Sequence, residues 1–299
     1  MVEVSVLIPT YNDRVLAQVA RLQGQLEELS GTCALSYEVI VADDCSMNLA
    51  VKQENERVAA LPHCRLVSLR SNVGRAGVRN RLAVEACYPW LLYVDAALWI
   101  PDGFVRNYIR HIGKAQVLCG GSAVDSQSSP RGLRYVYELS SAPRFSASER
   151  QRNPYRAFRT NNFMIAREVM MAHPLRADIR TYGYEDVLFG KELARHEVSI
   201  AHIDNPVIYH LLEDNATYLR KVEESLRTLH AYRGELSGYS PLLQGVEWLQ
   251  KWRVAGAMRL FYQLFGSLVR RNLMGRHPSL LLFKVFKVGT YLQVRHRCG

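Results

Sequence analysis

From Trp248 to Gly299 the chain contains no Asp and no Glu, while ten basic residues stand there: Lys251, Arg253, Arg259, Arg270, Arg271, Arg276, Lys284, Lys287, Arg295 and Arg297. Taking those ten from the 38 Lys and Arg leaves 28, equal to the 28 Asp and Glu. Residues 1–247 are therefore formally neutral and the tail carries the whole excess of +10. Long apolar runs are missing from the tail as well. Its longest stretch without a charge is Leu260–Val269, about half of the roughly 20 residues a membrane-crossing helix needs. The six cysteines (Cys33, Cys45, Cys64, Cys87, Cys119, Cys298) form no Cys-x-x-Cys. Without paired spacing no zinc site is expected, and the cysteines read as reduced, buried thiols, as in a cytosolic protein. No basic and apolar leader precedes the strand-like sequence that starts at Glu3, so no signal peptide is expected. Internal repeats and low-complexity tracts are absent.

With 299 residues, 48% hydrophobic and 22% charged, the chain is long enough for one good-sized core and a smaller appendage. Three apolar runs end in polar, mostly acidic residues: VSVLIPTYN (4–12), YEVIVADDCS (37–46) and WLLYVDAAL (90–98). Buried parallel strands read this way, and ligands of open α/β sheets sit off their carboxyl ends. Asp13 is placed to cap a helix carrying Leu16, Val19, Leu22, Leu26 and Leu29, which Gly31 would stop. Further helices are expected through Val51, Val58 and Leu61, over about 75–87, and after Pro101; strands are expected over 65–70 and 117–121. Alternating strands and helices predict βαβ units with right-handed crossovers. Residues 122–155, rich in Ser, Pro, Arg and Gln, read as a long loop. A strand over 156–165, a helix from the Tyr182–Asp186 segment to about His196, and strands over 198–203 and 207–211 follow. The expected organisation is an α/β catalytic domain over 1–212 and a helical, basic region over 213–299.

Asp43 and Asp44 end the second run. Adjacent carboxylates repel unless something uses them, and either could accept from a base or a ribose or cap a helix. In SNVGRAGVRN (71–80), Gly74 and Gly77 permit close backbone approach at a helix start, where Arg75 and Arg79 could meet phosphate or base. The segment is neither GxxxxGK[ST] nor GxGxxG. Asp95 is a lone charge after Leu-Leu-Tyr-Val, a costly place without a partner. A divalent cation, a ribose hydroxyl or a local turn would serve. Glu185 and Asp186 open a helix, whose N-terminus stabilises negative charge; a general base there would activate a hydroxyl. His210 ends an apolar run, as a structural residue or an imidazole ligand.

In this order and spacing VSVLIPTYN, VIVADDCS, NVGRAGVRN and YVDA resemble family 2 glycosyltransferases of the GT-A fold. TNNFMIARE (160–168) and YGYEDVLFGKEL (182–193) extend the resemblance to about residue 212. It implies a Rossmann-like, mostly parallel central sheet with flanking helices. It also implies an inverting transferase of the kind acting in bacterial surface polysaccharide synthesis. The donor would be a nucleotide-diphospho sugar, with UDP the expected nucleotide, and the acceptor a hydroxyl of a glycan or lipid-linked glycan. Mn²⁺ or Mg²⁺ would be the cofactor. Carried over by position, Pro9, Tyr11, Asp43 or Asp44, and Arg79 would hold the nucleotide. Asp95 would contact ribose and metal, with His210 completing the metal site. Asp186 would be the base, and Asn161, Asn162 and Glu185 would lie near the sugars. One departure stands out. The family's Asp-x-Asp reads Asp95-Ala96-Ala97 here, so the second carboxylate is missing. The leaving diphosphate would then need a metal on Asp95 and His210, or arginines such as Arg75, Arg150 or Arg152.

The tail interleaves its charges with Trp252, Phe261, Tyr262, Phe265, Leu268, Phe286 and Tyr291. That composition suits an interfacial helix on an anionic bilayer, through 248–299, at the cytoplasmic face of the membrane. A solvated helical cap with its apolar face on the catalytic domain is the plainer alternative. Nucleic-acid binding is not expected, since the recognisable fold is not a nucleic-acid fold. A degenerate module that binds nucleotide or glycan without transfer is the competing functional reading, supported by Ala96-Ala97 and opposed by the intact Glu185-Asp186. A nucleotidyltransferase would want a Gly-rich, Lys-containing loop after the first strand, where Pro9-Thr10-Tyr11-Asn12 stands.

Overall fold

The computed structural model describes residues 1–297; Cys298, among the thiols expected to be reduced, lies outside them. In chain order the elements begin with β1 (Val2–Thr10), α1 (Leu16–Ser30), β2 (Leu35–Asp43), α2 (Leu49–Glu56), β3 (Cys64–Ser68) and α3 (Gly74–Glu85). Then come β4 (Trp90–Val94), α4 (Phe104–His111), β5 (Val117–Cys119), β6 (Ser122–Ala123), α5 (Leu133–Ser141) and α6 (Ala147–Gln151). β7 (Asn162–Ala166), α7 (Arg167–Ala172), α8 (Glu185–Arg195), β8 (Ile200–His202) and β9 (Val207–Ile208) follow. The chain closes with α9 (Asn215–Ala231), α10 (Arg233–Leu236), α11 (Pro241–Lys251), α12 (Ala255–Met274) and α13 (Leu280–Arg297).

These elements form two compact units. The first comprises Met1–Asp125, Ala142–Arg180 and Phe189–His210. The second comprises Ser126–Ser141, Thr181–Leu188 and Leu211–Gly299. The boundary expected at 212 falls where the last stretch of the second unit begins, but that unit also draws in two earlier segments.

The first unit is built on a seven-stranded sheet in the order β3-β2-β1-β4-β7-β5-β8. β7 runs antiparallel to both neighbours and the other pairings are parallel. Alternation along β1 shows why both faces are covered. Val4, Val6 and Ile8 pack with Val19, Leu22 and Leu26 of α1, while Leu7 joins Leu82 of α3 and Tyr93. A strand apolar on both faces must be buried on both, which is the parallel α/β arrangement. Thr10 pairs with Asp43 and Leu7 with Tyr93, so the ends of β1, β2 and β4 lie at one edge.

Two local expectations are corrected. Asp13 does not cap α1, which starts at Leu16 with no side-chain cap. Asn55, arriving from α2, accepts the Val15 N–H at 3.0 Å instead. Residues 122–155 are not a loop but carry β6, α5 and α6. α5 is short and its apolar residues answer to distant partners: Leu133 lies in the core of the second unit with Leu219, Tyr262, Leu273, Phe283 and Phe286, and Tyr137 packs against it.

Candidate active site

The loops after β1 and β2 are tied together. Asn12, in left-handed conformation (φ 61°), accepts the Met47 and Asn48 N–H groups at 2.8 and 3.0 Å, and its own N–H donates to Ser46 Oγ at 2.7 Å. Pro9 is buried beneath this junction and Tyr11 stands exposed on it. The two adjacent carboxylates have different tasks. Both oxygens of Asp44 accept backbone N–H groups, from Val73 at 2.7 Å and Gly74 at 2.9 Å, so Asp44 anchors the start of α3. Burial pushes its pKa up against the opposing pull of those two N–H groups. Asp43 uses Oδ1 for the N–H and hydroxyl of Ser46. Its Oδ2 has no protein partner among the described residues.

Asp95 follows β4 and is held from four sides. Its N–H donates to Asn161 O at 3.0 Å and its carbonyl accepts from Gln18 Nε2 at 2.9 Å. Oδ1 takes an ion pair from Arg79, and Oδ2 lies 3.5 Å from Arg75 Nη2. The Arg79 guanidinium is 2% exposed and also donates to Arg75 O at 2.8 Å. It therefore sits under Asp95, while the half-exposed Arg75 approaches Asp95 from the first turn of α3. Asn161 donates from Nδ2 to Tyr209 Oη at 3.0 Å, and its buried Oδ1 has no partner among the described residues.

His210, next to that tyrosine, stacks on Trp99 with ring centroids 5.1 Å apart and lies 3.3 Å from Asp125 Oδ2. Trp99 was not singled out in the sequence. Its signal is a large aromatic side chain just past an acidic strand end, exposed and covered by the Arg21 guanidinium at 4.3 Å.

Some expected site residues turn out to be internal supports. Asn162 is buried and its amide is fully used: Oδ1 accepts from Tyr108 Oη at 2.7 Å, and Nδ2 donates to Gly121 O and Asn205 O at 2.7 and 2.8 Å. Arg150, a candidate for the diphosphate, is buried against backbone carbonyls of Cys119, Gly120, Ile203 and Phe145. Arg152 pairs with Glu149 on the surface at 3.0 Å. Of the three arginines considered, Arg75 is the one beside Asp95.

Glu185 and Asp186 belong to the second unit. Gly183 (φ 96°) and Tyr184 (φ 69°) precede them in consecutive left-handed conformations. That conformation is strained for a bulky residue such as Tyr and persists where surrounding structure imposes it. Here α9 imposes it. Tyr182 N–H donates to Glu224 Oε1 at 2.9 Å, and Thr228 Oγ1 donates to Tyr182 O at 3.0 Å. A Cβ on Gly183 would come within 2.7 Å of Ser225 Cβ. Asp186 then begins α8, its Oδ1 accepting the Val187 N–H at 2.8 Å.

The donor set does not fit a protein-held divalent ion at Asp95. The one carboxylate faces two guanidiniums, His210 faces Asp125, and Ala97 brings no oxygen. The backbone at Ala97 is nonetheless left-handed (φ 59°), a conformation that Asp and Asn adopt more readily than Ala. The second position of the Asp-x-Asp has thus lost its ligand atoms.

A mostly parallel sheet flanked by helices, with carboxylates gathered at one edge of strand ends, is the architecture of an α/β enzyme whose ligand lies off those ends. The model of glycosyl transferase family 2 matches residues 5–177, and the chain belongs to that family: it is a glycosyltransferase of the GT-A fold. The mannosyltransferase PcManGT from Pyrobaculum calidifontis, solved with GDP-Man and Mn²⁺, is similar at a TM-score of 0.59 and 16% identity, over 98% of this chain and 86% of that one. S. aureus TarS is similar at a TM-score of 0.51 and 16% identity over 74% of this chain, which spans only 38% of the TarS structure. At such identities both likenesses concern the fold. No curated protein matches the chain.

Proposed function

We propose that the chain transfers a sugar, with inversion, from a nucleotide-diphospho sugar to a hydroxyl of a glycan or lipid-linked glycan, as in bacterial surface polysaccharide synthesis. The observation that carries this is the strained Gly183-Tyr184 turn that presents Asp186 at the start of α8. Asp186 takes the proton of the acceptor hydroxyl; that oxygen bonds to the anomeric carbon as the bond to the diphosphate breaks. Asp43 accepts from the base or ribose through Oδ2, with Pro9 and Tyr11 beside it and Asp44 holding the α3 start in place. Asp95, positioned by Arg79, contacts the ribose. Glu185 and Asn161 lie toward the sugars. Arg75 and the N-terminus of α3 offset the charge of the leaving nucleoside diphosphate. A thermal-shift panel of UDP, GDP, CMP and dTDP with and without Mn²⁺ tests the reading. UDP is expected to stabilise the protein equally in both conditions. Ala97→Asp, at a backbone suited to Asp, is expected to make that shift grow with Mn²⁺. Silence from all four nucleotides would overturn the nucleotide-sugar reading and leave a module that binds glycan without transfer, and an Mn²⁺ requirement in the parent would restore a metal at Asp95.

The second unit supports the expected membrane partner. Among the described residues no helix is long and apolar enough to cross a membrane. Yet one face of α12 leaves Leu260, Phe261, Leu264, Phe265 and Leu268 between 44% and 64% exposed, next in sequence to exposed Trp248 and Trp252 on and after α11. Apolar patches of this kind mark interaction surfaces. The charges around them are basic, with Lys251, Arg253 and Arg271 exposed and no acid after Glu247, which suits an anionic bilayer at the cytoplasmic face. The chain is expected to sediment with vesicles containing phosphatidylserine and less with neutral ones. Leu264→Glu with Phe265→Glu should release it while leaving its melting temperature unchanged. Vesicle binding that survives the double substitution, or self-association without vesicle binding, would rule the surface out.

A further inference from the structure

At the end of the sheet opposite Asp95, the first unit brings two imidazoles and a carboxylate together. β7 is antiparallel to β4 and pairs Ala166 with Trp90. α7 therefore leaves the far end of the sheet, and His173 follows it directly. β8, parallel to β5, starts at that same end, and Glu192 and His196 precede it at the close of α8. One ligand atom from each of His173, Glu192 and His196 lies within 4.8 Å of the others. Glu192 and His196 are four apart on one helical face, with Nε2 2.9 Å from Oε1. The His173 ring lies 4.1 Å from that of His196, tilted by 30°.

We propose that His173, Glu192 and His196 form a Zn²⁺ site, separate from the transfer chemistry. Two imidazole nitrogens and one carboxylate oxygen are a recurrent three-ligand set for Zn²⁺, with water in the fourth position. Imidazole donors also favour Zn²⁺ over Mg²⁺ or Mn²⁺. Zinc–nitrogen bonds near 2.0 Å in a tetrahedron put ligand atoms about 3.4 Å apart. To reach that, the half-exposed His173 and the exposed His196 would rotate about their side-chain bonds so that the two ring lone pairs meet at one point. The ion takes the place of the proton shared between His196 Nε2 and Glu192 Oε1, and that proton goes to solvent. Arg195 Nη1 holds the other oxygen, Oε2, at 3.1 Å and leaves Oε1 for the ion. The site would clamp the end of α7 to the end of α8, the helix whose first turn carries Asp186.

The test is a Zn²⁺ titration of the chelator-stripped full chain by calorimetry, with Co²⁺ as a spectroscopic probe. One equivalent per chain, a rise in melting temperature and the visible bands of tetrahedral Co²⁺ are expected. His173→Ala with His196→Ala should weaken binding by at least about tenfold, the scale at which even outer-shell changes act, and abolish the Co²⁺ bands. If that variant does not fold, Glu192→Gln carries the same comparison. Absence of saturable binding would overturn the proposal. So would binding that persists in these variants, which would put the ion elsewhere, for instance on the exposed Cys33 or Cys87.

Discussion

Asp186→Asn is expected to fold as the parent does, bind nucleotide as well, and lose turnover by roughly 10²–10⁴-fold, the range that general-base catalysis supplies. The substitution isolates the chemistry because Asn keeps an oxygen where Oδ1 accepts the Val187 N–H. What it removes is the basicity and the negative charge. The stability cost should be small, about 0.3–1 kcal/mol for a negative charge lost from a helix N-terminus. Steady-state assays of sugar transfer, together with nucleotide affinity and melting temperature, check it. A fall in kcat with affinity and melting temperature intact assigns the proton transfer to Asp186. Near-parental turnover would take it out of that role. A common fall in all three quantities would mark Asp186 as a support of the turn. The neighbouring Glu185 is a poorer candidate on geometry, since it is buried while Asp186 is part-exposed.

Much of the first unit is legible in the sequence. Val6–Ile8, Val39–Ala42 and Leu91–Val94 are continuous apolar runs, which read as strands covered on both faces. Their polar ends then had to share an edge. What the pattern could not carry was long-range partnership. Nothing in Asn162–Ala166 tells an antiparallel insertion between β4 and β5 from one more parallel strand. The α5 helix was missed because its apolar residues, Leu133 and Tyr137, meet partners more than eighty residues away. Asp43 and Asp44 look equivalent in a string. Only the loop that brings Val73 and Gly74 onto Asp44 separates a structural carboxylate from one with a free oxygen. Arg75 and Arg150 are chemically identical too, yet one is half-exposed beside Asp95 and the other is enclosed by carbonyls. Burial of a guanidinium is decided by where carbonyls happen to converge, and composition carries no trace of that. The tail was legible as basic and amphipathic, but which apolar side chains stay exposed follows from the packing of α12 on α13.

Arg150→Met is expected to destabilise the first unit by about 3–5 kcal/mol, the sum of more than one buried polar group losing its partner. The Arg150 guanidinium donates to His202 Nδ1 at 2.8 Å and to Ile203 O at 2.9 Å, and also reaches Cys119 O, Gly120 O and Phe145 O. Cys119 O and Gly120 O keep the N–H groups of Ile203 and Asn205. His202 Nδ1 and Ile203 O would be left buried without a donor. A drop in melting temperature on the order of 10 °C follows, in contrast to a near-silent Arg152→Met on the surface. The same pair sets a pH dependence. His202 accepts at Nδ1 and donates from Nε2 to Pro154 O at 2.9 Å, which defines a neutral ring. Burial first, and the Arg150 charge after it, bring its pKa down to about 4, against the partial opposition of Pro154. The unfolded chain takes up this proton near the ordinary value of 6.5, so between 6.5 and 4 the unfolded state holds more protons. The stabilisation is therefore complete above about pH 6.5 and is lost as the pH falls toward 4, by roughly 3 kcal/mol in all. Denaturant unfolding across that window should show the slope. His202→Gln, which can accept from Arg150 and donate to Pro154 without titrating, should flatten it. Parallel curves for parent and variant would mean that other groups carry the acid sensitivity.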